Sequence, residues 1–429
     1  MVKLYNFYVE LQLFFSYYRH TSSGLVAEWL CRGLQILGCR FDSDPGLHLR
    51  KHPIGCFFVF IFYFILYYSA MITSLSLTDF RNHSMCRVTT HGRRNVIIIG
   101  PNGAGKTAIL EAVSMLAGER GMRGAGMGDI ARFGGNGGFS VFADLENDTQ
   151  LAVQFVGGDT NRRAKIDGES APLADLAKHV RIVWLSPRED RLFVDSASDR
   201  RAFFDRLATS FDTSHAGRTA KLSKLMSERA FALKTCADKN WIDALDIQIA
   251  GVAVAISVTR IQYAGEINYF LSRCAVSVAG MIEKMIIDGM SAGDAERAYL
   301  EHLKNNRELS GDKMVLDGPH KSDFGVFNQE LNLPVHLTST GQQKTVLVDL
   351  ILAHAKLIHI KTKQRPLILL DEAAAHLDKN ARTNMFRELG QADAQVWATG
   401  LEQEFFQDIE DAVFVTCQNG EISNIVVAE

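Results

Sequence analysis

The chain has 429 residues, 47% apolar and 22% charged, with a net charge of −3. That is ample for a sizeable core spread over two or three domains, or for one large head with an insertion. It excludes a globally basic nucleic-acid binder, so any phosphate-backbone contact must come from a local patch. Seven scattered cysteines lack metal-ligand spacing and build no disulfide framework, which fits a reducing cytoplasm.

Residues 1–53 show no clear amphipathic period. From Ile54 to Ile72 there is no charge, and Arg50 and Lys51 flank the run, which is just long enough for a transmembrane helix. It lies too far from the start, and lacks a small-residue cleavage site, for a secretory signal. A membrane anchor is the literal reading. The competing one is that residues 1–70 are not part of the natural protein. Gly24 to Ser43 resembles the conceptual translation of a transfer-RNA gene, Arg40-Phe41-Asp42-Ser43 above all, and Met71 offers an in-frame start. The favoured expectation is translation from Met71.

Ile72 to Thr78 alternates as a strand, with a turn at Asp79-Phe80-Arg81-Asn82-His83. Val96 to Ile99 is an apolar, β-branched run of the kind a buried parallel strand shows. Gly100-Pro101-Asn102-Gly103-Ala104-Gly105-Lys106-Thr107 follows, and a helical pattern then runs to about Leu116. Those eight residues fit the phosphate-cradling P-loop, G-x-x-x-x-G-K-[ST]. Its glycines let backbone N–H groups converge on phosphates at a helix N-terminus. Lys106 would reach the β/γ-phosphates of ATP, and the Thr107 hydroxyl would ligate Mg²⁺.

The glycine-crowded stretch from Gly118 to Gly138 reads as a mobile loop, since Asp129 breaks a dinucleotide fingerprint there. Phe139 to Phe155 alternates as two strands joined near Glu146-Asn147-Asp148, and Arg181 to Leu185 is another strand. From Ser198 to about Leu309 the pattern is helical. Ile242, Leu245, Ile249, Val252, Ile256, Tyr263 and Phe270 form a seam that only Thr259 and Glu266 interrupt. Both an ordinary bundle helix and an antiparallel helical arm fit that seam. Arg218, Lys221, Lys224, Arg229, Lys234 and Lys239 load the preceding helix with positive charge, either as a solvated face or as a DNA-backbone patch.

Late in the chain, Pro366 to Leu370 is an apolar strand ending in Asp371-Glu372. In P-loop ATPases the first acid holds Mg²⁺ through water and the second polarises the attacking water, so Glu372 is the candidate base. Upstream, Ser339-Thr340-Gly341-Gln342 opens a long apolar helix and reads as a second phosphate-binding device. Ala394 to Thr399 is the next strand.

This order, with Leu77 to Asn82, Asp199 to Asp205, Gly318 to Asp323 and His376-Leu377-Asp378, resembles the ABC-type ATPases and, within them, the RecF family related to SMC heads. The resemblance covers Met71 to Glu429. It implies an α/β P-loop ABC-type head, with halves at 71–197 and 316–429 and an inserted helical, coiled-coil-like arm at 198–315. It also implies that two heads sandwich ATP in a homodimer. Ser339, with Gly341 and Gln342, would then face the γ-phosphate bound by Lys106 of the other subunit, and Asp378 would join the nucleotide site. By the same analogy Arg81 and Asn82 line the nucleotide, a plain turn role being the alternative. Proteins of this family bind single-stranded or gapped DNA when ATP is present, hydrolyse it slowly, and help load recombinase with RecR and RecO. The family's Gly-Pro ahead of the paired arginines is missing at Asp195-Ser196-Ala197. The rival readings are an ABC transporter nucleotide subunit and an ATP-gated DNA clamp that barely hydrolyses.

Overall fold

The computed structural model describes residues 71–118, 121–307, 316–372, 379–391, 393–406 and 409–427. Both readings of residues 1–70, and the expectation for Asp378, fall outside the described residues.

The chain begins with β1 (Ile72–Phe80), β2 (His83–Thr89) and β3 (Asn95–Ile99), then α1 (Lys106–Met115) and the short α2 (Met127–Ile130). β4 (Phe139–Leu145), β5 (Gln150–Phe155), β6 (Arg163–Ile166) and β7 (Glu169–Ala171) follow, then α3 (Leu173–Leu176) and β8 (Arg181–Leu185). The strands other than β3 and β8 form an antiparallel sheet in the order β2-β1-β4-β5-β6-β7. β4 buries every second residue, as a strand covered on one face must.

The middle of the chain holds α4 (Ala197–Phe211), α5 (His215–Lys234), α6 (Lys239–Asn268), β9 (Cys274–Ala279), α7 (Met281–Ile287) and α8 (Ala292–Asn305). β10 (Asp323–Asn328), β11 (Leu333–Pro334), α9 (Thr340–Thr362), β12 (Pro366–Leu370) and α10 (Lys379–Gln391) come next. β13 (Gln395–Gly400), β14 (Ala412–Gln418) and β15 (Glu421–Val427) close the chain. A second sheet runs β15-β14-β3-β13-β12-β8, parallel except for the β14–β15 pair.

β12 and β13 are buried at every residue because this sheet is covered on both faces. Val96, Ile98, Leu367, Leu369 and Trp397 point into a core shared with α1 and the antiparallel sheet. Ile97, Ile368, Leu370, Val396 and Ala398 point the other way, onto α4, α9 and the C-terminal part of α6. The layers are therefore sheet, helix, sheet and helices, which is the expected P-loop head.

The insertion departs from expectation in one way. It is not wholly helical: β9 lies inside it and pairs antiparallel with β10, and Val276 and Val278 join the core of the head. A short alternating run such as Cys274-Ala-Val-Ser-Val-Ala is easily hidden between long helical patterns. α5 and α6 make a hairpin, but α8 closes on it through Ala295, Tyr299 and Leu303, so the seam residues Ile242, Leu245, Ile249 and Ile256 sit in a small bundle core. Further along α6, Tyr263 and Ile267 belong to the head. One helix thus threads both cores. Thr259, which breaks the apolar seam, is buried with its hydroxyl donating to Ala255 O at 3.0 Å.

The two arginine- and histidine-bearing motifs form the joint between insertion and head. Asp205 accepts from Arg260 at 2.8 and 2.7 Å and lies 2.8 Å from His215 Nε2. Arg260 also donates to Pro319 O at 2.6 Å, and Arg201 to Ser322 O at 2.8 Å. Arg200 makes a two-pronged pair with Asp323, both contacts at 2.8 Å. Burial alone would raise the Asp205 carboxyl, but the hydrogen bonds from His215 and Arg260 outweigh it and hold the group below the usual carboxylate range.

Candidate functional site

In the second sheet β3, β13 and β12 are neighbours and run parallel, so their carboxyl ends open on the same edge. The register sets Ile98 beside Thr399 and Leu370 beside Ala398. The P-loop leaves β3, Asp371 leaves β12, and Thr399 lies near the end of β13 between them. Ligands of parallel α/β sheets bind outside this edge.

The loop from Gly100 to Thr107 wraps the start of α1. Gly100 has φ 152°, and a Cβ there would sit 2.1 Å from Cys417 O, so no other residue fits. Gly105, at φ 110°, is pressed against Asn82 and His83 in the same way. Asn82 donates to Ala104 O at 3.2 Å, and the His83 ring nitrogens lie 2.6 Å from Gly420 O and 3.1 Å from Gly105 O. The Lys106 amine donates to Gly100 O at 2.7 Å and Pro101 O at 3.0 Å, folding back over the loop it belongs to. Pro101, Asn102 and Gly103 are exposed, and a Cβ on Gly103 would meet nothing.

Thr107 donates to Asp371 Oδ1 at 3.0 Å, and Thr399 donates to the same oxygen at 2.8 Å. Burial raises the Asp371 carboxyl, with Glu372 adding to the rise and the Thr399 and Thr107 hydroxyls and Arg123 opposing it. A bound cation reverses that balance. Glu372 is held at φ 52°, its N–H donating to Thr399 Oγ1 at 2.9 Å. Lys344 Nζ donates to Glu372 O at 3.3 Å and to Asp190 Oδ2 at 3.4 Å. Hydroxyl and carboxylate oxygens, with glycine N–H groups alongside, are the donor set a hard divalent cation and a polyphosphate need, so these residues fit Mg²⁺ and ATP.

A cleft of about 630 Å³ covers this edge, lined by Asn102, Gly103, Gly105, Lys106, Thr107 and Glu372. Arg81, Asn82, Arg123, Asp129, Arg132 and Phe133 line it as well. Arg81 and Asn82 make the turn after β1, and both also line the cleft. Arg81 is clamped to Glu111 at 2.7 and 2.8 Å and reaches Asp129 O at 2.7 Å.

The structure does not bring every expected residue here. Ser339 and Gln342 are exposed and bond to one another as a helix cap, and neither they nor Gly341 line the cleft. The basic run is also thinner than its sequence promises. Arg229 is buried against Asp246 at 2.5 Å, and Arg218 is tied to Asp212 at 2.6 Å and Thr259 at 3.1 Å. Lys221 and Lys224 are exposed, with Glu228 3.7 Å from the Lys224 amine.

The sequence assigns no site role to Thr399, Lys344, Asp190, Arg123 or Arg132. A threonine near the end of a buried strand, and a lysine one turn into an apolar helix, were the available signals. The part of the glycine-crowded stretch from 121 to 138 is better anchored than a mobile loop: Arg81 N–H donates to Ile130 O at 2.7 Å, Ala131 bridges Phe80, and Ile130 is fully buried.

Such a site on such a sheet defines a P-loop ATPase head of the ABC and SMC type. Residues 71–424 match the RecF/RecN/SMC N terminal domain family. The DNA replication and repair protein RecF of Rhizobium etli (strain CIAT 652) is 35% identical over 367 residues, which is 82% of this chain and 98% of that protein. The protein of the same name from Rhizobium meliloti (strain 1021) is 34% identical, over 83% and 99%. A solved recombination mediator protein RecF with ATPrS superposes with a TM-score of 0.70 at 18% identity, covering 82% of this chain and 98% of that one. A RecF–ATP structure superposes at 0.67. The chain belongs to the RecF family.

Proposed function

We propose that this chain is an ATP-dependent DNA-binding protein of recombinational repair and replication restart, a weak ATPase that closes into a dimer around nucleotide in the cytoplasm. The observation that carries the reading is the Thr107–Asp371–Thr399 cluster, assembled where the P-loop, β12 and β13 meet at the carboxyl edge of the parallel sheet. The names of the RecF relatives supply the repair context.

Gly100 to Thr107 would hold the triphosphate through backbone N–H groups, with Lys106 on the β/γ end. Thr107 and Asp371 would hold Mg²⁺, which when bound neutralises phosphate charge. Glu372 would orient and deprotonate the attacking water, its backbone fixed by Thr399 and Lys344. The exposed Ser339 and Gln342, with Gly341 between them, would complete the site on a second copy, so that bound ATP becomes part of a twofold interface and hydrolysis releases it. Single-stranded or gapped DNA would then bind the closed form, Arg218, Lys221 and Lys224 giving the candidate patch, with RecR and RecO as partners.

The test is anisotropy of a labelled gapped duplex with and without Mg·ATP. ATP should tighten DNA binding for the wild-type chain and leave Lys106→Ala unaffected. Equal ATP stimulation of both proteins would remove the assignment.

A further inference from the structure

Phe133 is fully exposed, although it belongs to a well-anchored turn. The residue before it is pinned twice to the end of β1: Arg132 N–H donates to Asp79 O at 2.8 Å, and Arg132 Nε to Asp79 Oδ1 at 2.6 Å. Two residues earlier, Ile130 is buried and Ala131 bridges Phe80. After it, Gly134 turns at φ 76° and Gly135 N–H donates back to Arg132 O at 3.0 Å. The ring therefore stands out from a fixed backbone. It makes no ring or cation contact among the described residues.

The same turn reaches the phosphate cradle. Asp79 and Arg81 hold the Phe133 side, and Asn82 and His83 hold Ala104 and Gly105 of the P-loop. The Phe133 turn and the P-loop are thus joined through five consecutive residues, 79–83. Phe133 and Lys106 line one cavity of about 630 Å³, a size suited to a single small ligand. A flat apolar face and a glycine loop with a lysine, lining the same cavity, match a molecule that carries both an aromatic ring and a polyanion.

We infer that Phe133 is the stacking platform for the base of the bound nucleotide and favours purines over pyrimidines. The inference rests on the nucleotide reading of the cleft and adds the base subsite to it. Stacking on an aromatic ring tolerates any base, because every base has a π-face, and it strengthens with the area of that face. ATP and GTP are therefore held alike, and both more tightly than CTP or UTP. Two of the three arginines that line the cleft are kept distinct from this role: Arg81 is committed to Glu111, and Arg132 to Asp79.

The experiment measures binding of ATP, GTP, CTP and inorganic tripolyphosphate, each with Mg²⁺, to the full chain and to Phe133→Ala and Phe133→Trp. Phe133→Ala should weaken ATP about tenfold, within the range of one base–aromatic stack, and leave tripolyphosphate unchanged. Phe133→Trp should keep ATP affinity, and its indole emission should change with ATP and not with tripolyphosphate. ATP bound equally by wild type and Phe133→Ala, while both bind tripolyphosphate, overturns the stacking role and leaves the phosphate site standing. Loss of self-association in Phe133→Ala with unchanged ATP affinity also overturns it, assigning the ring to a second copy of the chain. Failure of the wild-type chain to bind either ligand removes the nucleotide reading and the base subsite with it.

Discussion

Thr107 and Asp371 are separated by 264 positions in the chain, yet the hydroxyl of one donates to the carboxylate of the other across 3.0 Å. Nothing local brings them together. β3 and β12 flank β13 in one parallel sheet, so the residues that leave their carboxyl ends converge.

Thr399 is the residue through which this convergence reaches the candidate base. Its hydroxyl donates to Asp371 Oδ1 and accepts from Glu372 N–H, whose residue is held at φ 52°. Thr399→Val keeps the shape and removes both bonds. A hydrogen bond to a charged group contributes about 1.5–3 kcal/mol, so single-turnover hydrolysis should slow by about 10- to 150-fold, with ATP affinity little changed. A variant hydrolysing at the wild-type rate would separate Thr399 from the mechanism.

Ser339 caps α9 through Gln342 and faces solvent within one subunit. Glu372→Gln should accumulate as a dimer with Mg·ATP in light scattering. Adding Ser339→Arg should return it to monomer with nucleotide still bound. A double variant that remains dimeric would exclude the sandwich.

On the α5 surface, Lys221 and Lys224 are exposed, whereas Arg218 is engaged by Asp212 and Thr259. If the helix lies on duplex backbone, each lysine-to-alanine change should reduce the slope of log affinity against log salt by about 0.9. Arg218→Ala should reduce it less. Unchanged slopes for both lysine variants would move the DNA surface elsewhere.

Asp205 joins the insertion to the head through Arg260 and His215. Asp205→Asn leaves Arg260, which is almost completely buried, without its carboxylate, and should cost about 3 kcal/mol in denaturant unfolding at neutral pH. The folded-state carboxyl lies below its ordinary value. Its contribution is therefore complete above about pH 4 and is lost as acidification proceeds below that. The variant should lack this share of the acid sensitivity.

The P-loop strand, the acidic strand and the two parts of the head were legible because each is a long local pattern: apolar β-branched runs, a glycine loop and a helix start. The insertion was legible only in part. β9 is six residues between helices, and a heptad-like seam on α6 reads the same whether its partner is one helix or the surrounding α5 and α8. The charges of α5 could be counted from sequence. That Arg229 is buried against Asp246 depends on α6 folding back beside it. Within the site, Thr399 and Lys344 act through atoms brought near by the sheet, and Phe133 gains meaning only from what its neighbours hold in place.

The central claim is that Thr107 and Asp371 form one metal position beside the Lys106 cradle, and titration calorimetry with ATP in Mg²⁺ and in EDTA tests it most directly. The wild-type chain should bind Mg·ATP at least about tenfold more tightly than free ATP, a difference of about 1.4 kcal/mol. Asp371→Asn should lose that metal-dependent gain and keep the metal-free affinity, whereas Lys106→Ala should lose both. An Asp371→Asn chain that retains the full gain from Mg²⁺ would contradict the account.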